Sequence, residues 1–450
     1  MKKKSILALL LVLVMVAGLV AACGGGGGGP ADTGTQPPAT QPADIDDTDV
    51  QPDVFDFVDA VTGEQGMFDT EYDYSANPRF RVEYVLLGTS TIAEAWGRAF
   101  EQWAMHSNVE FLGMTEFGSD ADAMMMSLPA IAARADGLII EADQQMFNAI
   151  GDMLYDLGTP WMPGMGLPID MEGGQNHFMH PYAGFNQLFI GEQLAIHLVD
   201  QAQALWPNIP LDEFGFIIVD FSVAYALHSR TRGARYWLEA NHPEFFTDNR
   251  FFIADTSIAM WDLDTSNDVV TTVLATNPHI ENWLIIGIVE SMAQGAALAI
   301  DAFGYEDTTF IISFGAEAAR VMWDAGQSSA WRAAGSSAFM VVTEPIFFGL
   351  YAMMMGEVAP NDIWLEWVDC ASGQRFPSRL VPFFFVNQEN YRRVFAWSDV
   401  YAGADLFPQY AAERELVDRY TFSARIAVPE VFRCNQPGCR FCEAARELQG

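Results

Sequence analysis

Between Arg79 and Phe395 the chain alternates two kinds of segment, and that alternation limits the fold more than any other feature. "FRVEYVLLG" is an apolar, partly β-branched run closed by glycine, the pattern of a buried strand. "IAEAWGRAFEQWAMH" follows with apolar positions at helical spacing. "NVEFLGM" then predicts a strand, "ADAMMMSLPAIAARA" a helix and "DGLIIEA" a strand. "QQMFNAIGDMLYDLG" is a helix closed by Gly158, and "TPWMPGMG" an edge strand. Strands alternating with helices in this way imply βαβ units on a parallel sheet. The alternation then restarts. "YAGFNQLFIGEQLAIHLVDQAQAL" reads as one long helix, "EFGFIIVDF" as a strand, and "YALHSRTRGARYWLEANHP" as a helix stopped by proline. "RFFIADT" through "AARVMWDAG" and "SSAFMVVTE" continue the pattern. "PIFFGLYAMMMGE" places Pro345 in a first helical turn, and "IWLEWVD" and "RLVPFFFVNQENYRRVF" close the body. The expectation is α/β: two Rossmann-like lobes with parallel sheets, joined by a hinge.

Charge narrows the class of partner. The 450 residues carry 59 acidic and 23 basic side chains, a formal charge of −36. Phosphate backbones need a basic face, so nucleic acid is excluded as a partner. Anionic lipid headgroups are disfavoured on the same ground.

The N-terminus reads as an export signal: Lys2, Lys3 and Lys4, then an apolar run from Ser5 to Val20. Val20-Ala21-Ala22-Cys23 resembles the bacterial lipobox, which implies lipidation at Cys23 and membrane attachment through acyl chains alone. Gly24 to Gly29 would be a flexible tether. Onward to about Asn77, "PADTGTQPPATQPADIDDTDVQPD" has the composition of a disordered linker. As a coil of about 54 residues it would span roughly 40 Å. Phe55, Phe57 and Phe68 are its candidates for docking onto the body.

Cys370, Cys434, Cys439 and Cys442 remain. Outside the cytoplasm they would pair, or Cys434-x4-Cys439-x2-Cys442 would form a zinc knuckle with Cys370, or the four would stay free thiols. No G-x-S-x-G elbow, Walker loop, H-E-x-x-H or strand-following G-x-G-x-x-G occurs. His177 and His180 form an H-x-x-H lacking a carboxylate partner at fixed spacing. The methionine runs Met124–Met126 and Met353–Met355 read as core filler. No cofactor or metal is called for.

In open α/β sheets ligands sit beyond the carboxyl ends of the strands. In the first set that selects Thr89, Ser90, Thr91 and Trp96, then Glu141 and Asp143. In the second it selects Phe221 to Arg230, Glu290, Phe314 and Glu344.

From about Arg79 to Phe395 the chain resembles the periplasmic sugar-binding proteins of the ribose/galactose type, the type 1 solute-binding fold. The carrying phrases are "ARADGLII", "FNQLFIGEQLAIHLVDQA", "HSRTRGARYWLEANHP", "IVESMAQGAALAI" and "VPFFFVNQENYRRVF". The resemblance implies non-enzymatic delivery of a small solute, mostly a sugar, to an ABC permease or a chemoreceptor. It puts Trp96 at a sugar-stacking position and Arg230 at the arginine that bonds ligand hydroxyls. Glu141 and Val289 stand where asparagines are usual, Glu290 at the following aspartate, and Glu344 or Thr343 near the hinge glutamine. Phe314 matches an aromatic, but Gly315 replaces the aspartate after it, and the aspartate-arginine pair is absent near Met165 and Gly166. Glu141, Glu290 and Glu344 are thus expected to converge, which favours a ligand with a positive group unless they are solvated.

The expected organisation is a signal at 1–22 and a lipidated linker at 23–77. A first lobe takes 78–183 and 345–380, a second takes 184–344 and 381–397, and an extension with the cysteine cluster takes 398–450. The reading is a lipid-anchored, extracytoplasmic monomer that captures a small polar solute for an ABC importer. The alternatives are a sensor for a chemoreceptor or kinase, a binder of amines or amino sugars, a hydrolase using Glu141 and Glu290, and a structural surface protein.

Overall fold

The computed structural model describes residue 68 and residues 72–88, 91–142, 146–164, 182–258, 262–327, 330–337, 339–356, 367–369, 375–381, 383–417 and 425–426. Cys23, the other four cysteines, His177, His180, Phe55 and Phe57 lie outside them.

The first alternating set builds one sheet. Strands β1 (Arg81–Leu86), β2 (Glu110–Glu116), β3 (Gly137–Glu141) and β4 (Trp161–Pro163) lie in the order β2-β1-β3-β4, every pair parallel. Both faces of β1 and β3 are covered, so nearly every residue of the two strands is buried, as in parallel sheets generally. Helices α1 (Thr91–His106), α2 (Ala121–Ala132) and α3 (Phe147–Leu157) are the crossovers. Asp120 caps α2 by accepting from the Ala123 N–H, and Gly158 ends α3 at a left-handed φ of 69°. Met124 is fully buried under α2, but Met126 is 83% exposed. The run is core at one end only, because three successive helical residues turn through most of the helix circumference.

The second set builds a larger sheet in the order β14-β13-β10-β9-β8-β6-β7. Its members are β6 (Phe214–Asp220), β7 (Phe251–Asp255), β8 (Asn282–Gly287), β9 (Thr309–Phe314), β10 (Trp331–Ser336), β13 (Phe383–Asn387) and β14 (Arg425–Ile426). Pairing is parallel from β7 to β10, whereas β13 and β14 add antiparallel. The connecting helices are α4 (Gln187–Leu205), α5 (Tyr225–Asn241), α6 (Leu263–Thr276), α7 (Glu290–Phe303) and α8 (Glu317–Asp324). Helices α4 and α5 cross at backbone distance. A Cβ on Gly191 would strike the Arg230 carbonyl, and one on Gly233 would strike the Leu188 carbonyl.

Two local readings change. Tyr182–Gly184 is not the head of α4 but strand β5, paired with β12 (Arg375–Leu380), which also pairs with β11 (Trp367–Asp369). Asn186 then caps α4 by accepting from the Phe189 N–H at 3.0 Å. The strand sought in "SSAFMVVTE" is "WRAAGS" (β10), and residues from Phe339 onward already form α9 (Phe339–Met354), with Pro345 as its seventh residue. Helix α9 is buried on all sides, so no helical stripe marks it, and Val341, Val342 and Thr343 mimic a strand. Thr343 Oγ1 bonds the Phe339 carbonyl at 2.6 Å within this turn.

Helix α9 packs on α1, β3 and β4 and so belongs to the first lobe. The chain returns through β12 and β13 to α10 (Tyr391–Ala402), a 3-10 turn (Pro408–Tyr410) and α11 (Ala411–Arg414). Among the described residues no helix is long and apolar enough to cross a membrane.

Candidate functional site

The carboxyl ends of β1 and β3 form the first-lobe edge. Register pairs Leu86 with Glu141 and Tyr84 with Ile139, so all four side chains share one face of the sheet. The Tyr84 hydroxyl donates to Glu141 Oε2, and the Leu87 N–H donates to the Glu141 carbonyl at 2.8 Å. Burial pushes the Glu141 carboxyl up to about 7, while the Tyr84 bond pulls the other way. Burial, and then the carboxylate, hold the Tyr84 hydroxyl well above its ordinary range.

Helix α1 rises from this edge. Ile92, Trp96 and Phe100 line one side of it at helical spacing, and Phe100 meets Tyr84 edge-on at 5.0 Å. Trp96 is 1% exposed, and its buried Nε1 has no hydrogen-bond partner among the described residues. Its ring is packed in protein and presents no open face. Ser90 and Asp143 lie outside the described residues, and Thr91 is placed only as the first residue of α1.

The second-lobe edge is built around Arg230, which is buried. Its Nε donates to Gln187 Oε1 at 2.7 Å and its Nη1 to the Ile288 carbonyl at 2.6 Å. The guanidinium lies 4.5 Å from the Phe314 ring centre, a cation–π contact. Phe185 and Phe383 hold that ring at 5.0 and 5.6 Å. Glu290 opens α7, and its Oε2 accepts from the Ala318 N–H at 3.0 Å.

The two edges meet at Gly315. Its φ of +101° is one that other residues adopt under strain. A Cβ there would lie 2.8 Å from Ile92 Cδ1 of the first lobe and 3.2 Å from Glu290 Cβ. Ile92 therefore occupies the space that a side chain at position 315 would need. Arg98 of α1 also acts electrostatically on Glu317 of α8, opposing the rise that burial imposes on that carboxyl.

Each of the three carboxylates expected to converge has a partner of its own. Glu141 takes a tyrosine hydroxyl and Glu290 a backbone N–H of α8. Glu344, in α9, takes the Phe68 N–H at 3.1 Å. Phe68 does dock, its ring 5.2 Å from both Trp103 and Phe348 and stacked on Tyr74 at 5.6 Å.

Several groups at these edges escaped the sequence reading. Asp220 ends β6, and its carboxylate takes His228 Nδ1 at 2.7 Å and Thr231 Oγ1 at 2.6 Å. Ser222 and Ser257 both donate to Asp255 at the end of β7. The strand-end rule reaches Asp220 and Asp255 once the strands are placed, and Tyr84 was legible as a polar residue sharing the Glu141 face. Gln187 and Ile92 carried no signal of their own, since their roles depend on how two distant segments cross.

No family model matches this sequence, and no curated protein does. Solved structures do match. A solute-binding protein from Actinobacillus succinogenes with bound D-allose aligns with TM-score 0.54 at 13% identity, covering 69% of this chain and 99% of its own. One from Agrobacterium vitis with bound alpha-D-tagatopyranose gives 0.54 at 16%, covering 69% and 96%. One from Bacillus halodurans C-125 with bound myo-inositol gives 0.53 at 15%, covering 71% and 98%. The chain has the two-lobed α/β fold of these periplasmic-type binding proteins.

Proposed function

We propose that this chain captures a small polyhydroxylated solute, a sugar or a polyol, between its lobes and presents it to an ABC importer without chemical change. One observation carries the reading. Two sheets turn the carboxyl ends of their parallel strands toward each other at Ile92 and Gly315, with a buried arginine on one edge and a half-buried carboxyl on the other. Such an edge supplies few, oriented polar groups in an apolar setting, which is how small-molecule sites gain specificity. The sugars and the polyol bound by the similarly folded proteins support the same ligand class. A cleft of this kind closes because the solute binds the closed state better than the open one.

Export and lipidation at Cys23 belong to this proposal, as do a tethering linker and a monomeric body. The Glu141 carboxyl favours one variant of the reading, a solute with an amino group beside its hydroxyls. A thermal-shift panel of neutral sugars, polyols and amino sugars, run on protein unfolded and dialysed to strip bound solute, tests both. One member raising the melting temperature, followed by its recovery unchanged in mass, is the expected result. No response to any member, or a changed mass, would count against it.

A further inference from the structure

Residues after β13 bind both lobes at once. In the second lobe, Asp324 of α8 accepts the Tyr391 hydroxyl at 2.8 Å and the Tyr410 hydroxyl at 2.7 Å. Arg320 of the same helix pairs with Glu317 and sits over the Phe407 ring, 5.4 Å from its centre. In the first lobe, Phe339 at the head of α9 packs 6.0 Å from both Phe395 and Phe407. The Met340 N–H of α9 donates to Ser398 Oγ at 3.5 Å, and the Ala402 backbone acts on the imidazole of His106, the last residue of α1, against the lowering that burial imposes.

The segment also has an internal lock. Asp399 is fully buried and accepts the Leu406 N–H at 2.9 Å, the Phe407 N–H at 2.8 Å and the Arg414 guanidinium. Buried carboxylates persist only when paired and bonded in this way. The lock folds the chain back after the left-handed Gly403, and Phe407 and Tyr410 are buried as a result.

We propose that residues 391–417 act as a strap between the lobes, holding α8 against α1 and α9 and so restricting the angle through which the cleft opens. Ile92 of α1 beside Gly315, two residues before α8, and Arg98 of α1 with Glu317 of α8 lie at the cleft edge and would separate when it opens. Opening moves α8 relative to α1, and a segment bonded to both resists that movement. The inference rests on the two-lobed reading of the cleft but not on which solute it takes.

Spin labels carried by unnatural residues at exposed Asp152 of α3 and Asp268 of α6 report the interlobe distance by pulsed electron paramagnetic resonance without solute. They are introduced into the full chain, into Asp399→Asn and into Phe407→Asp. Tryptic cleavage after Arg414, followed by mass, reports release of the strap. Cleavage faster by about tenfold or more, with a broader and longer distance distribution, is the expected result. Faster cleavage with an unchanged distribution would overturn the proposal. So would unchanged cleavage in both variants, since the lock would then not hold the segment. If either variant fails to fold, Tyr410→Phe removes one hydroxyl only and is expected to broaden the distribution slightly. An unaltered distribution in that variant would overturn the proposal as well.

Discussion

Gly315→Ala separates two effects that the structure superimposes at one residue. The first is local: a φ of +101° is strained for alanine by about 1–3 kcal/mol, whether the lobes are open or closed. The second exists only when they meet, because the new Cβ falls 2.8 Å from Ile92 Cδ1. Ile92 Cδ1 is the end of a flexible side chain and can swing away, so this second term is at the low end of overpacking costs, about 1 kcal/mol. Glu290 Cβ, 3.2 Å away, is fixed to its helix and yields less. The variant should therefore melt a few degrees lower. It should also bind its solute about fivefold to tenfold more weakly, as 1.4 kcal/mol is tenfold. The assay is a melting curve and a binding isotherm with the strongest responder of the sugar panel. Adding Ile92→Ala should restore most of the affinity and none of the melting temperature. If Gly315→Ala binds normally, or Ile92→Ala restores nothing, the lobes do not close through this contact and the reasoning fails.

Arg230→Ala should abolish detectable solute binding, read by calorimetry. It should also lower the melting temperature by several degrees, because Gln187, the Ile288 carbonyl and the Phe314 face all lose their partner. In Gly191→Ala the new Cβ meets the Arg230 carbonyl, and the forced separation of α4 from α5 should cost about 1–3 kcal/mol or more in a denaturant melt. Two half-buried groups should give opposed pH dependences. The Glu141 carboxyl, raised from 4.5 to about 7, binds its proton more tightly when folded. It contributes stability below pH 4.5 that is lost as pH rises toward 7, at most ~3 kcal/mol. The His197 imidazole, lowered by burial to about 4 and stacked on Phe385 at 3.9 Å, contributes stability above its unfolded value of 6.5 that is lost as pH falls toward 4. Melting temperatures against pH should slope down for His197→Phe and up for Glu141→Gln between about pH 4.5 and 6.5. Parallel curves for the two variants would contradict both assignments.

The fold was legible because a parallel sheet covered on both faces writes itself as short apolar runs between amphipathic helices. It became illegible where those conditions lapse. Helix α9 is buried all round, so Phe339 to Glu344 carried no stripe, and the three residues of β5 were too few to stand out from the helix after them. The candidate site was legible by position only. The strand-end rule reached Glu141, Arg230, Glu290 and Phe314 at the lobe edges, yet it could not say that Glu141 takes Tyr84 or that Glu290 takes the Ala318 N–H. Those pairings depend on crossing geometry between segments far apart in sequence. Trp96 follows the first strand and stands where the resemblance puts a sugar-stacking ring, yet it is 1% exposed. The strap was invisible because its contacts run from residues 391–417 to α1, α8 and α9, with no local pattern to mark them.

The central claim is capture without chemistry, and native mass spectrometry of the gently purified full chain tests it most directly. The account predicts one retained small molecule per chain, with the mass of a sugar, polyol or amino sugar. After denaturing dialysis the same compound should rebind and be recovered unaltered. A compound that returns with a changed mass, or a stripped protein that rebinds neither it nor any member of the panel, would contradict the account.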